Sequence, residues 1–202
     1  MNLLDYLEVL GLGLVFMHFV ASAVAVVTIL QTDVLLLKRY TVPLTRSDCR
    51  RIHKAKPVVT AALWVLWITG ILICLRGYLN DPAYLLNQKL MMKVLVVEIL
   101  TLNGIFLHSV AFKYVKPGRV LARESTMSQR LLVLMGSLSS TSWLFACFLG
   151  IARPLNHQMN FYLLLGFYLA LLAGAIFFGW LLTHVLARRE AEDGDSGRFF
   201  GA

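Results

Sequence analysis

Five predominantly apolar stretches alternate along the chain with short segments that hold most of its charge. They run over residues 9–30, 57–75, 90–112, 131–151 and 161–186. A hydrocarbon layer about 30 Å thick takes about 20 helical residues to cross, and each stretch is close to that length or longer. Barrel strands would be about half as long and would alternate between apolar and polar positions. Helices also satisfy every backbone group internally, as lipid requires. The pattern predicts an all-α integral membrane protein, a bundle of five transmembrane helices in one domain over 1–189. Residues 190–202 are acidic and Gly-rich and are expected to be a disordered cytoplasmic tail.

The connectors predict an orientation. The first holds Lys38, Arg39, Arg46, Arg50, Arg51, Lys54 and Lys56, and the third Lys113, Lys116, Arg119, Arg123 and Arg130. Arg188, Arg189 and Arg198 follow the last span. The second connector offers only Arg76 and Lys89, and the fourth only Arg153. Basic residues favour the cytoplasmic side, so the N-terminus is expected outside and the C-terminus in the cytoplasm. Tyr78, Tyr84 and Tyr162 then fall near the outer interface, and Tyr40, Tyr114 and Trp180 near the inner one. The acidic N-terminal segment has no basic n-region, and its apolar run continues past Ala21-Ser22-Ala23. The first span is therefore expected to be a retained helix in a bacterial-type cytoplasmic (inner) membrane.

Composition supports lipid as the main solvent. The 202 residues are 58% hydrophobic and 15% charged, against about 25% charged in soluble domains. The net charge of +8 is explained by topology, and no nucleic-acid partner is expected. Cys49, Cys74 and Cys147 lack CxxC spacing. Free thiols are expected, with a Cys74–Cys147 pair as the alternative. Gly166, Ala170 and Gly174 have the small-xxx-small spacing that permits close helix contact, either within the bundle or with a second copy.

Ionisable residues inside spans carry the candidate chemistry, because charge at mid-depth costs about 2.5–3.5 kcal/mol or more. His18 lies in the first span. It suits either a hydrogen bond across helices or ligation of haem iron or another metal. Lys93 and Glu98 lie in the third. At about 100° per residue, Lys93, Thr101, Gly104 and His108 fall within about 80° of one another, and Glu98 widens the arc to about 140°. This arc is expected to face the bundle interior, with Asn103 on the other side. Lys93 can also snorkel to headgroups. Glu98 is too deep and short for that, which leaves an ion pair with Lys93 or His18, a protonated carboxyl, or proton handling. His53, His108 and His184 are expected near the cytoplasmic interface, as solvated residues or as an inner metal or haem cluster. Asp33 reads as an interfacial helix-end residue, and His157 as a solvent-facing connector residue. The hydroxyls of Ser137, Ser139, Ser140, Thr141 and Ser142 suit either close packing or a wet cavity. No phosphate loop, dinucleotide fingerprint or soluble metalloenzyme motif is present in the sequence.

Three segments together carry a likeness. They are Phe16-Met17-His18-Phe19-Val20-Ala21, Arg50-Arg51-Ile52-His53 leading to Thr69-Gly70-Ile71-Leu72, and Gln88-Lys89-Leu90-Met91-Met92-Lys93-Val94-Leu95-Val96-Val97. The chain here resembles the HemJ-type protoporphyrinogen oxidases and the wider group of CopD-like small bacterial membrane proteins, over about its first 110 residues. The resemblance implies b-type haem or a related porphyrin between the first and third helices. It implies that His18 and Lys93 serve haem binding and activity, with Lys89 as an alternative register for Lys93. A membrane redox protein follows, with Glu98 and Lys93 as reactive groups and a quinone or porphyrin as partner ligand. A proton or metal-ion transporter using His18, Glu98 and the inner histidines remains open. So does a non-catalytic subunit of a larger complex.

Overall fold

The computed structural model describes the backbone of residues 3–109, 113–152 and 158–199, and the side chains of residue 6 and of 8–189 except within the two gaps. Among the described residues it is all-helical, with no strand. Five helices are long and apolar enough to cross a membrane. They are α1 (Leu3–Lys38), α2 (Arg46–Asn80), α3 (Gln88–Ser109), α4 (Thr126–Ile151) and α5 (Phe161–Phe199). The chain is a multi-pass membrane protein by this architecture. α5 continues past the expected end of its span and takes in the acidic segment from Glu190. His157 and Arg153 lie outside the described residues.

α2 begins eleven positions before Pro57, where the apolar run starts. Thr45 caps it: its hydroxyl accepts from the Asp48 amide at 3.1 Å, and the Asp48 carboxylate accepts from the Thr45 amide, also at 3.1 Å. The basic turn that follows is helical because Cys49 and Ile52 are buried in a small core with Tyr40, Leu44, Val115 and Leu121. Pro57 then sits inside the helix, where it has no N–H for the His53 carbonyl.

The same core joins the end of α1, the start of α2 and the third connector at one end of the bundle, here called the basic end. Backbone bonds tie the connectors together: Leu44 N–H to Arg119 O at 2.9 Å, Gly118 N–H to Leu44 O at 2.8 Å, and Ala122 N–H to Tyr40 O at 2.9 Å. Lys116-Pro117-Gly118-Arg119 closes a turn with Arg119 N–H on Lys116 O at 3.2 Å, and Gly118 adopts φ +82°. That is the glycine position of a type II turn, with proline before it. Tyr40 donates its phenol to Gln129 Oε1 at 2.9 Å, and Gln129 donates to the carbonyls of Ala122 and Glu124. Burial raises the Tyr40 phenol above its ordinary pKa, against a hydrogen bond with Thr183, so it stays a neutral donor.

α4 is central, packing on α1, α3 and α5, while α1 also packs closely along α2. Ala21 and Ala25 of α1 are buried, and their small side chains permit that approach. Ser142 on α4 is fully buried and donates to Leu138 O at 2.6 Å, so the Tyr168 phenol of α5 must be the donor in their 2.8 Å contact. Gly179 is the close-contact glycine between α4 and α5: a Cβ there would stand 3.0 Å from Val133 Cγ1 and 3.3 Å from Ser137 Oγ. The Gly166–Ala170–Gly174 stripe instead faces outward, with open space beside Gly166 and Gly174, so it is not used within the bundle. α2 and α3 stand apart. Side chains bridge them, with Trp67 Nε1–H donating to Thr101 Oγ1 at 3.1 Å.

Candidate functional site

The third helix buries a stripe of Lys89, Met92, Val96, Leu100 and Asn103. This differs from the expected inward arc of Lys93, Glu98, Thr101 and His108. The reason lies on α4, which supplies two backbone acceptors. Asn103 donates to Met135 O at 3.1 Å, and the buried Lys89 ammonium donates to Ala152 O at 2.5 Å. Ala152 is the C-cap of α4, so Lys89 completes a helix end whose carbonyls carry partial negative charge. Lys89 is thereby committed to architecture. Lys93, one turn further on, turns to the gap left between the α1–α2 pair and α3.

That gap is an open-sided cavity of about 1790 Å³. It exceeds the roughly 300–1,000 Å³ of ordinary small-molecule pockets. His18 of α1, Lys93 and Glu98 of α3, Trp67 and Gly70 of α2 and Trp143 of α4 all line it. His18, Lys93 and Glu98 therefore share one void, while His108 lines a different one. His18 and Lys93 are near enough for their charges to interact. Glu98 lies at the exposed side and forms no ion pair with either, nor any hydrogen bond among the described residues.

The hydrogen bonds around His18 fix its chemistry. Its Nδ1 lies 2.8 Å from Thr69 Oγ1. Thr69 has one hydroxyl proton, and its oxygen is 2.6 Å from Val65 O, which can only accept. An unprotonated O···O contact at that distance would be repulsive, so the hydroxyl proton points at Val65. Thr69 must then accept from His18, and Nδ1 carries the hydrogen. A neutral imidazole so held keeps its lone pair on Nε2. The ring lies against Gly70 at the cavity wall, its Cε1 3.6 Å from where a Gly70 Cβ would be. An imidazole with one nitrogen anchored and the other basic suits ligation of a metal or acceptance of a proton. Thr69 lies among the segments quoted above, but its role was not visible in them.

The inner histidines are not brought together. His53 is two turns inside α2, and its Nδ1 is 2.8 Å from Cys49 O of its own helix. His108 Nε2 is 3.5 Å from Thr60 Oγ1. His184 stacks on Trp180, with ring centroids 5.7 Å apart and planes 11° apart. Among the described residues, no three of His, Cys, Asp or Glu form a metal-binding group. The three cysteines are free. Cys74 and Cys147 both line the large cavity without bonding.

Asp33 departs from the expected helix-end role. α1 continues to Lys38, so Asp33 is inside the helix, and its carboxylate accepts from the Ser140 hydroxyl of α4. Both line a second cavity of about 420 Å³ toward the basic end, with Ser137 and Ser139. The α4 hydroxyls thus divide between the two roles. Thr141 and Ser142 are buried in the packing, while Ser137, Ser139 and Ser140 line the cavity. Comparison with family models, with curated proteins and with solved structures finds no match for this chain.

Proposed function

We propose that this chain is a membrane redox protein whose large cavity would hold b-type haem or a related porphyrin, with His18 as the residue that would bind the iron. The observation that carries the reading is the Thr69 hydroxyl on His18 Nδ1, which leaves Nε2 as the basic nitrogen. The donor set fits the group: an anchored imidazole, an amine from Lys93 and mainly apolar walls. Bound haem would supply a one-electron couple. Lys93 would act as second ligand or as a charge beside the porphyrin. Glu98, at the open side, would hold or release the accompanying proton, and a quinone would suit as acceptor.

The same reading puts the N-terminus outside and the basic end in the cytoplasm of a bacterial-type inner membrane, because basic connectors resist translocation. The experiment is a reduced-minus-oxidised visible spectrum of protein purified in mild detergent after expression with ample haem supply. A Soret shift with sharp α-bands, in stoichiometric amount, is expected. A flat spectrum from folded protein would remove the reading.

A further inference from the structure

The two cavities are stacked end to end. Both are lined by Leu63 of α2, Leu100 of α3 and Trp143 of α4. On α1, Ser22 lines the large cavity and Ile29 the smaller, and the fully buried Ala25 fills the level between them. One thin apolar layer therefore separates two voids that extend toward opposite ends of a membrane bundle. Each void holds a carboxyl group within a span, Glu98 on one side and Asp33 on the other.

We propose that these voids are two half-paths for protons, closed at the Leu63–Leu100–Trp143 layer, with Asp33 as the relay on the basic side. A narrow apolar constriction excludes water and opens when a side chain moves aside, which is how hydrophobic gates work. A charged carboxylate is costly in such a place, and ionisable groups held there mark ion and proton pathways. Asp33 has the Ser140 hydroxyl as its hydrogen-bond partner. The groups facing its cavity from the neighbouring helices are Lys56 and His108, with the Tyr40 phenol beyond them. Among the described residues, α4 and α5 present hydroxyls and an amide there, with no charge.

The transfer balances without a co-reactant. A proton from water at the basic end adds to the Asp33 carboxylate. When the layer wets, it moves along water to His18 Nε2 or the Glu98 carboxylate, and from there to water at the opposite end. Direction follows the gradient. The path goes beyond the redox reading and does not need a porphyrin.

The test is proton flux into liposomes containing the purified protein, driven by a potassium diffusion potential and read with an internal pH dye. The wild type is expected to stay near protein-free vesicles, because the layer is closed. Leu100→Ala is expected to raise the flux severalfold, and Leu63→Ala, at a half-buried site that tolerates truncation better, should do the same. Adding Asp33→Asn to either variant should return the flux to the vesicle level; Asn keeps an acceptor for Ser140. If folded Leu63→Ala and Leu100→Ala both stay at the vesicle level, the two voids do not form a path. If Asp33→Asn leaves an opened variant unchanged, Asp33 is not on it. A raised flux that follows sodium in place of protons would overturn the proposal equally.

Discussion

His18→Ala is expected to lose the haem signal entirely, while Thr69→Val keeps part of it. The alanine removes Nε2, and among the described residues no other imidazole lines the cavity. The loss should not be a folding defect. His18 is half-buried and contributes one hydrogen bond, worth about 0.5–1.5 kcal/mol. Thr69 keeps its own bond to Val65 when the imidazole is gone. Thr69→Val leaves the ligand but removes the acceptor that fixes its tautomer and ring orientation. Loss of such a partner costs about 10–100-fold in affinity for the bound metal. Haem titration of both variants, followed at the Soret band with helicity checked by circular dichroism, measures this. Full retention in Thr69→Val would mean that Thr69 packs and does not orient. Full retention in His18→Ala would place the ligand elsewhere.

The two lysines of α3 should separate by measurement as they separate in space. Lys89→Met is expected to cost about 1.5–3 kcal/mol, because it strips a charged donor from Ala152 O and leaves that carbonyl without the ammonium. It should lower the thermal midpoint in detergent and leave haem affinity almost unchanged in the protein that remains folded. Lys93→Met should do the reverse. The side chain lines the cavity without a hydrogen bond to a described residue, so its loss should hardly move the midpoint, but it should shift the Soret position or the affinity. If Lys93→Met changes stability alone, Lys93 has no part in the site.

The five spans were legible in the sequence because hydrocarbon thickness imposes a length that few other constraints mimic. Their ends were not legible. α2 begins at Arg46 because Cys49 and Ile52 find Tyr40 and Leu44 across the connector, and no local pattern announces that contact. His18 and Lys93 stood out as polar groups in apolar runs, and the structure gives them one cavity. What decides the chemistry of His18 is Thr69, 51 positions away, whose hydroxyl looks like any other packing residue in a helix. Lys89 and Lys93 have the same charge one turn apart. Only the end of α4, beyond the span from which they were read, distinguishes them.

Glycine and histidine were misleading for related reasons. The spacing of Gly166, Ala170 and Gly174 suggested helix contact, but α5 meets α4 through Gly179, where Val133 and Ser137 crowd in. Three histidines at helix ends allowed either a cluster or separate solvated residues. Helix rotation sends His53 back to its own backbone and His184 onto Trp180. Glu98 and Asp33 show the converse. Glu98 was visible as a carboxylate in a span and Asp33 as an interfacial helix-end residue, but only the stacking of two cavities relates them.

The most direct measurement is the protonation of the His18 ring in the ligand-free protein, by solid-state NMR of ¹⁵N-histidine-labelled protein in lipid, with His18→Gln for assignment. The account requires hydrogen on Nδ1 and a bare Nε2 near neutral pH, with the Nε2 signal alone displaced when haem is added. Hydrogen found on Nε2, with Nδ1 accepting from Thr69, would contradict it.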